Sequence, residues 1–285
     1  MTTTLHDPQW LDRMYNNRQL VPEHAEHFEN WAKLSQIARR RRCTLDLSYG
    51  SEPGESLDIF PSDQPNAPVL VFIHGGYWRS LDKSDHSFVA PAFVDAGFCV
   101  VVVNYDLCPK VTIPQICLQM VKAVAWVWQN IHVWGGDRDR MHLQGHSAGG
   151  HLVAMLMACQ WSQVNAHLPD HFIRSGLSIS GLHELDTVCQ VPFLKDSLAL
   201  TPLDALRCSP AWMPAPDRGR CACVAGGLES PEFLRQNALL AQTWGLDRVP
   251  LTAVMPGLNH FSILEDHAQP HGALHRLALD FMAEH

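Results

Sequence analysis

Short apolar runs alternate with longer amphipathic ones along most of the chain. Residues 43–49 (CTLDLSY) alternate apolar and polar positions, as a half-buried strand does. Residues 56–60 predict a second strand, with Ser51-Glu52-Pro53-Gly54 as the turn between them. Residues 69–73 (VLVFI) and 98–103 (FCVVVV) are continuously apolar, as in strands covered on both faces. Residues 113–131 predict a long amphipathic helix. A β-compatible run at 140–144 leads through a Gly-flanked turn into an apolar helix over 151–159. Residues 173–180, 221–225 and 251–255 are further strands, and helices near 231–244 and 273–283 follow the last two. Strands alternating with helices predict an α/β fold. Its sheet is mostly parallel and eight-stranded, with right-handed crossovers, helices on both faces and a hairpin at one edge.

Residues 5–42 predict helix as well. Trp10, Met14, Phe28, Trp31, Leu34 and Ile37 fall at helical spacing, broken at Val21-Pro22. With no internal repeat and no Ser/Gly linker, residues 43–285 are expected to form one domain, with residues 1–42 as a helical extension packed on it. Residues 182–219, which hold five prolines, are expected to be an irregular insertion over the carboxyl edge of the sheet.

Composition narrows the partners. The chain of 285 residues is 46% hydrophobic and 18% charged, enough for a sizeable core. Its net charge of −8 argues against nucleic-acid or anionic-membrane binding and leaves a small-molecule substrate. The basic run Arg39-Arg40-Arg41-Arg42 is expected to complement a helix end. No apolar stretch approaches the roughly 20 residues of a membrane span, and the first ten residues are polar and acidic. Nine scattered cysteines fit reduced thiols in a cytoplasmic protein.

The chemistry centres on Gly145-His146-Ser147-Ala148-Gly149. Gly-x-Ser-x-Gly between a strand and a helix is the pattern of a nucleophile elbow. Side chains at 145 or 149 would collide with the neighbouring strand and helix, and Ser147 would sit at strained backbone angles. A Gly-rich turn with no catalytic role is the bland alternative. The stretch His74-Gly75-Gly76-Tyr77-Trp78 directly follows an apolar strand. Its glycines let backbone amides approach the serine, so Gly75, Gly76 and Tyr77 can join Ala148 in holding an oxyanion. His74 is expected to shape that loop.

A serine hydroxyl needs a base. Seventeen histidines make identity uninformative, so position must select. In this chain order the base lies on the loop after the last strand, which gives His260. The acid belongs at the carboxyl end of the penultimate strand, which gives Glu229. Glu184 and Asp186 are its rivals, Glu232 falls in a helix's first turn, and Asp247 is at the wrong edge. His146 is placed to line the site. No His/Asp/Glu spacing suggests a metal, and the chemistry needs no cofactor.

With these pieces placed, the chain resembles the kynurenine formamidase (arylformamidase) family of α/β-hydrolases. The resemblance rests on Tyr15-Asn16-Asn17-Arg18, HGGYW at 74–78, Tyr105-Asp106-Leu107-Cys108-Pro109, GHSAGGHL at 145–152, Ser180-Gly181-Leu182 and Ser230-Pro231-Glu232-Phe233. It implies hydrolysis of N-formyl-L-kynurenine to kynurenine and formate in tryptophan degradation, through Ser147, Glu229 and His260. It also implies, from family habit, a homodimer. Tyr77 and Trp78 would close a small acyl pocket or stack on the aryl ring, with core packing as Trp78's alternative role. Two departures stand out. The family usually has Asp where this chain has Glu229, and His183-Glu184 replaces the Tyr-Asp expected after the Ser-Gly turn, which makes His183 a candidate for substrate choice. A carboxylesterase or another amidase is the rival enzyme, and a non-catalytic binding protein on the same scaffold is the remote one.

Overall fold

The continuous apolar runs become the middle of one sheet. The structure is a computed structural model and describes residues 6–169 and 171–285; Leu5, where the helical pattern begins, lies outside them. The strands are β1 (Thr44–Ser48), β2 (Ser56–Phe60), β3 (Ala67–Ile73), β4 (Cys99–Val103), β5 (Gly136–His146), β6 (Ile173–Ile179), β7 (Arg220–Gly226) and β8 (Leu251–Met255). Their order is β1-β2-β4-β3-β5-β6-β7-β8. The β1–β2 and β2–β4 pairs are antiparallel and all later pairs are parallel.

The period-two geometry of a strand splits each apolar run between two cores. Val69, Val71 and Ile73 face one layer, with Met120, Val124 and Leu152. Leu70 and Phe72 face the other, with Phe93, Leu264 and Phe281. Helices Ile113–Asn130 and Ala148–Met157 cover the first face, and Ala90–Asp95, Ser262–Ala268 and Ala273–Ala283 the second. The starts of the helices follow local chemistry. Thr112 and Gln115 form a capping box, and Ser230 accepts from the Phe233 amide ahead of Pro231.

Several boundaries differ from the periodicity. β5 begins at Gly136 because Ala67 pairs with it across a bulge. The helix after β5 begins at Ala148, directly after the elbow, three residues before the apolar run suggests. Residues 182–219 are not simply irregular: Asp186–Cys189, Pro192–Leu198 and Pro202–Arg207 are short helices. Two of them have Pro in the first turn, where the missing N–H costs nothing.

The extension forms Pro8–Tyr15, Asn17–Leu20 and His24–Ala38. Among the described residues no helix is long and apolar enough to cross a membrane. Register fixes where function can sit. Ile73 pairs with Val103 and Gly145, His146 with Ile179, and Gly226 with Met255. The segments leaving at 74, 147, 180, 227 and 256 therefore emerge at one carboxyl edge.

Candidate active site

Ser147 has φ 58° and ψ −118°, in the left-handed region that a side chain disfavours. Two close approaches hold it there. A Cβ on Gly145 would stand 2.3 Å from the Gly149 carbonyl oxygen, and one on Gly149 would stand 2.0 Å from that of Ile73. The Ser147 amide donates to the Ile179 carbonyl (2.8 Å), which ties the elbow to β6. Ala148 opens the next helix, so its amide belongs to the first turn, where N–H groups lack intrahelical acceptors.

The loop after β3 presses on the elbow. A Cβ on Gly75 would meet the His146 carbonyl oxygen at 2.8 Å and Ser147 Cβ at 3.0 Å. Gly76 has φ +106° and accepts the Arg79 and Ser80 amides, so the chain turns sharply and sends Tyr77 and Trp78 through the left-handed region. His74 underpins the loop. It is buried, stacks on Tyr105 with centroids 4.3 Å apart, and bonds to the Gly75 carbonyl and the Asn104 side chain. Burial lowers its pKa.

The candidate base and acid meet where β7 and β8 end. His260 Nδ1 lies 2.7 Å from Glu229 Oε2. The other carboxylate oxygen accepts the Gly226 amide (2.7 Å) and the Ser180 hydroxyl (2.5 Å). A Cβ on Gly226 would stand 2.3 Å from the Leu258 carbonyl oxygen, so glycine lets the two loops close on each other. The rival acids are engaged elsewhere. Glu184 pairs with Arg235 (2.9 Å), and Glu232 accepts from Tyr15 (2.7 Å) and Arg235 (2.7 Å). Asp186 opens a short helix, and Asp247 sits in an exposed turn before β8.

Ser147, His260, His146, Gly76 and Tyr77 line one cavity of about 220 Å³. His146 Nε2 donates to the His260 carbonyl (2.8 Å), and the two rings are 4.7 Å apart. Burial first, then repulsion from His260, push the His146 pKa well down, so the ring is neutral. Burial and the Glu229 charge raise the Tyr77 phenol well above its ordinary value, and its hydroxyl donates to the Tyr15 carbonyl (2.6 Å).

Two candidates for substrate contact lie outside this cavity. Trp78 is fully buried and edge-on to His151, with centroids 5.0 Å apart, so it packs in the core. His183 is buried between Ser178 Oγ (2.9 Å) and the Gln236 carbonyl (2.8 Å), with its pKa lowered to about 4 by burial. Both are corrections to the sequence expectation. Trp78, at positive φ, packs against His151 from another element, and Gln236 holds the His183 backbone and ring together. The periodicity also missed the opposite wall. Asn16, Asn17, Arg18, Phe28 and Trp31 from the extension line the cavity, as do Arg79, Phe193 and Phe261. The extension is fastened there by the Ser230 hydroxyl on the Met14 carbonyl (2.6 Å) and by Trp31 Nε1 on Glu265 (3.1 Å). Only the Tyr15–Arg18 stretch hinted at this, as part of a family resemblance.

A strained serine between strand and helix, followed in chain order by an acid and its histidine at the carboxyl edge of an eight-stranded sheet, defines an α/β-hydrolase. Residues 57–179 match the BD-FAE family model. The kynurenine formamidase of Salmo salar is 32% identical over 252 residues, 84% of this chain and 82% of that one. Esterase LipC of Mycobacterium tuberculosis is 31% identical over 153 residues, 52% of this chain and 37% of its own. A solved structure from Silicibacter sp. TM1040, provisionally named a thioesterase, superposes with a TM-score of 0.81 at 29% identity, covering 91% of this chain and 95% of that one. The chain belongs to the kynurenine formamidase family of α/β-hydrolases.

Proposed function

We propose that the chain is a serine hydrolase that cleaves N-formyl-L-kynurenine to L-kynurenine and formate, a step in tryptophan degradation. The observation that carries the mechanism is the 2.7 Å bond from Glu229 to His260 Nδ1, beside a cavity that Ser147 also lines. With Nδ1 committed, only Nε2 remains to move a proton. Ser147 Oγ attacks the formyl carbon while Nε2 takes its proton. The backbone N–H groups of the Gly75–Tyr77 loop and of Ala148 hold the oxyanion. Nε2–H then protonates the aryl amine as the C–N bond breaks. Water, deprotonated by the same nitrogen, attacks the formyl-serine; Nε2–H returns the proton to Ser147 Oγ as the ester C–O bond breaks and formate leaves. Removal of one oxyanion donor typically costs about 3 kcal/mol.

A carboxylesterase is the second reading, favoured by the 31% identity to Esterase LipC. The same triad cleaves esters and amides, so turnover decides. The expected result is a higher kcat/KM for N-formyl-L-kynurenine than for p-nitrophenyl acetate. A large preference for the ester would falsify the formamidase reading.

A further inference from the structure

Part of the cavity wall carries positive charge that no ion pair among the described residues engages. Arg18 and Arg79 both line the cavity, and no Asp or Glu is among its lining residues. The ion pairs of the described residues engage other cations, such as Arg39, Arg41, Lys83 and Arg235. Among the described residues Arg79 is held by neutral partners. Its Nη1 donates to the Phe193 carbonyl (2.9 Å) and to Ser197 Oγ (2.8 Å), and its guanidinium lies 5.6 Å from the Phe193 ring centre. Arg18 lies 5.4 Å from the centre of the Phe28 ring. Burial, then repulsion from Arg18, lowers the Arg79 pKa. Asn17, next to Arg18 in the chain, also lines the cavity; it is only 5% exposed, and its Nδ2 has no hydrogen-bond partner among the described residues. These features make a cationic spot on a protein of net charge −8, the local field that draws an anion. A guanidinium fixed on a ring face has its donors ready for a carboxylate.

We propose that Arg18 and Arg79, with the Asn17 amide beside them, are specificity-determining residues that bind a carboxylate at the end of the substrate remote from the scissile bond. The choice of a formamide as scissile bond rests on the function proposed above; the requirement for an anion does not.

The test compares matched substrates that differ only in that charge. One pair is N-formyl-L-kynurenine and its carboxamide. The other is an aryl ester, 3-(2-acetoxyphenyl)propanoate, and its primary amide. The wild type should prefer the anionic member of a pair by about tenfold or more, chiefly through KM. Arg18→Gln and Arg79→Gln should each narrow that ratio, the double variant should abolish it, and Arg18→Lys should restore part of it. Because Arg79 also anchors Phe193 and Ser197, melting temperatures accompany each variant, and Arg18→Gln carries the test if Arg79→Gln is unstable. A wild-type ratio near one, or a ratio unchanged in the double variant, overturns the proposal. Failure to cleave either formamide, with the ester preference intact, would sink the formamidase reading and leave this one standing.

Discussion

Glu229 meets the strictest geometric demand in the site. One of its oxygens is shared by the Gly226 amide and the Ser180 hydroxyl, and the other faces His260. Glu229→Gln keeps the shape but replaces one acceptor oxygen with a donor, and so favours the wrong histidine tautomer. We expect kcat to fall by about 10³- to 10⁴-fold. Glu184→Gln, which alters only the Arg235 pair and a local turn, should change kcat by less than about threefold. The reverse pattern in steady-state rates would reassign the acid. His146 acts one step away, through the His260 carbonyl. His146→Phe should lower kcat about tenfold with little change in KM, and His146→Gln, which keeps an N–H donor, should recover part of the loss. Equal losses for both variants would point to packing alone.

At the scale of elements, the elbow is a packing problem that the sequence states openly. Gly145 and Gly149 each lie two residues from Ser147, so their need for no side chain could be argued before any fold was known. The Cβ distances of 2.3 and 2.0 Å to backbone oxygens give the reason a value. Gly149→Ala has no flexible neighbour to displace, so a loss of about 3 kcal/mol or more is expected. Thermal melting measures it, and an unchanged Tm would contradict the close approach. The eight strands were legible because buried parallel strands give continuous apolar runs and the outer hairpin gives alternation. The short helices within 182–219 were not, because prolines there read as breaks although two helices begin on them. Nor were Trp78 and His183. Their environments are set by His151, Ser178 and Gln236 from other elements, and periodicity carries no trace of such contacts.

Across the whole molecule the extension is part of the site. Tyr15 reaches Glu232 across 217 residues of sequence, and His27 reaches Glu265 across 238. Pairings of that span leave no local pattern, which is why the placing of Ser147, Glu229 and His260 at one edge could be read from chain order while the wall from the extension could not. The basic run at 39–42 also turns out to bind the extension down: Arg39 pairs with Asp58, Arg41 with Asp95 and Arg42 with Asp63. The histidines set the acid limit of the whole fold. Burial lowers His86, His151 and His267 to about 3, and His142 to about 4, as it does His183. Below about pH 6.5 the unfolded chain takes up protons that these buried rings refuse. Stability is therefore full above that pH and falls as the pH drops towards the folded values, by about 1 kcal/mol per histidine per pH unit. Denaturant midpoints at pH 7.5 and 5.5 should differ by the equivalent of several kcal/mol; equal midpoints would mean that the rings are not held neutral.

In the proposed reaction Ser147 delivers a formyl group to water. Its most direct test is the rate of formate release from N-formyl-L-kynurenine under single-turnover conditions, by the wild type and by Ser147→Ala. We expect the wild type to release formate equal to the substrate supplied, and the variant to release it at a rate at least about 10³-fold lower. Equal rates from the two would contradict it.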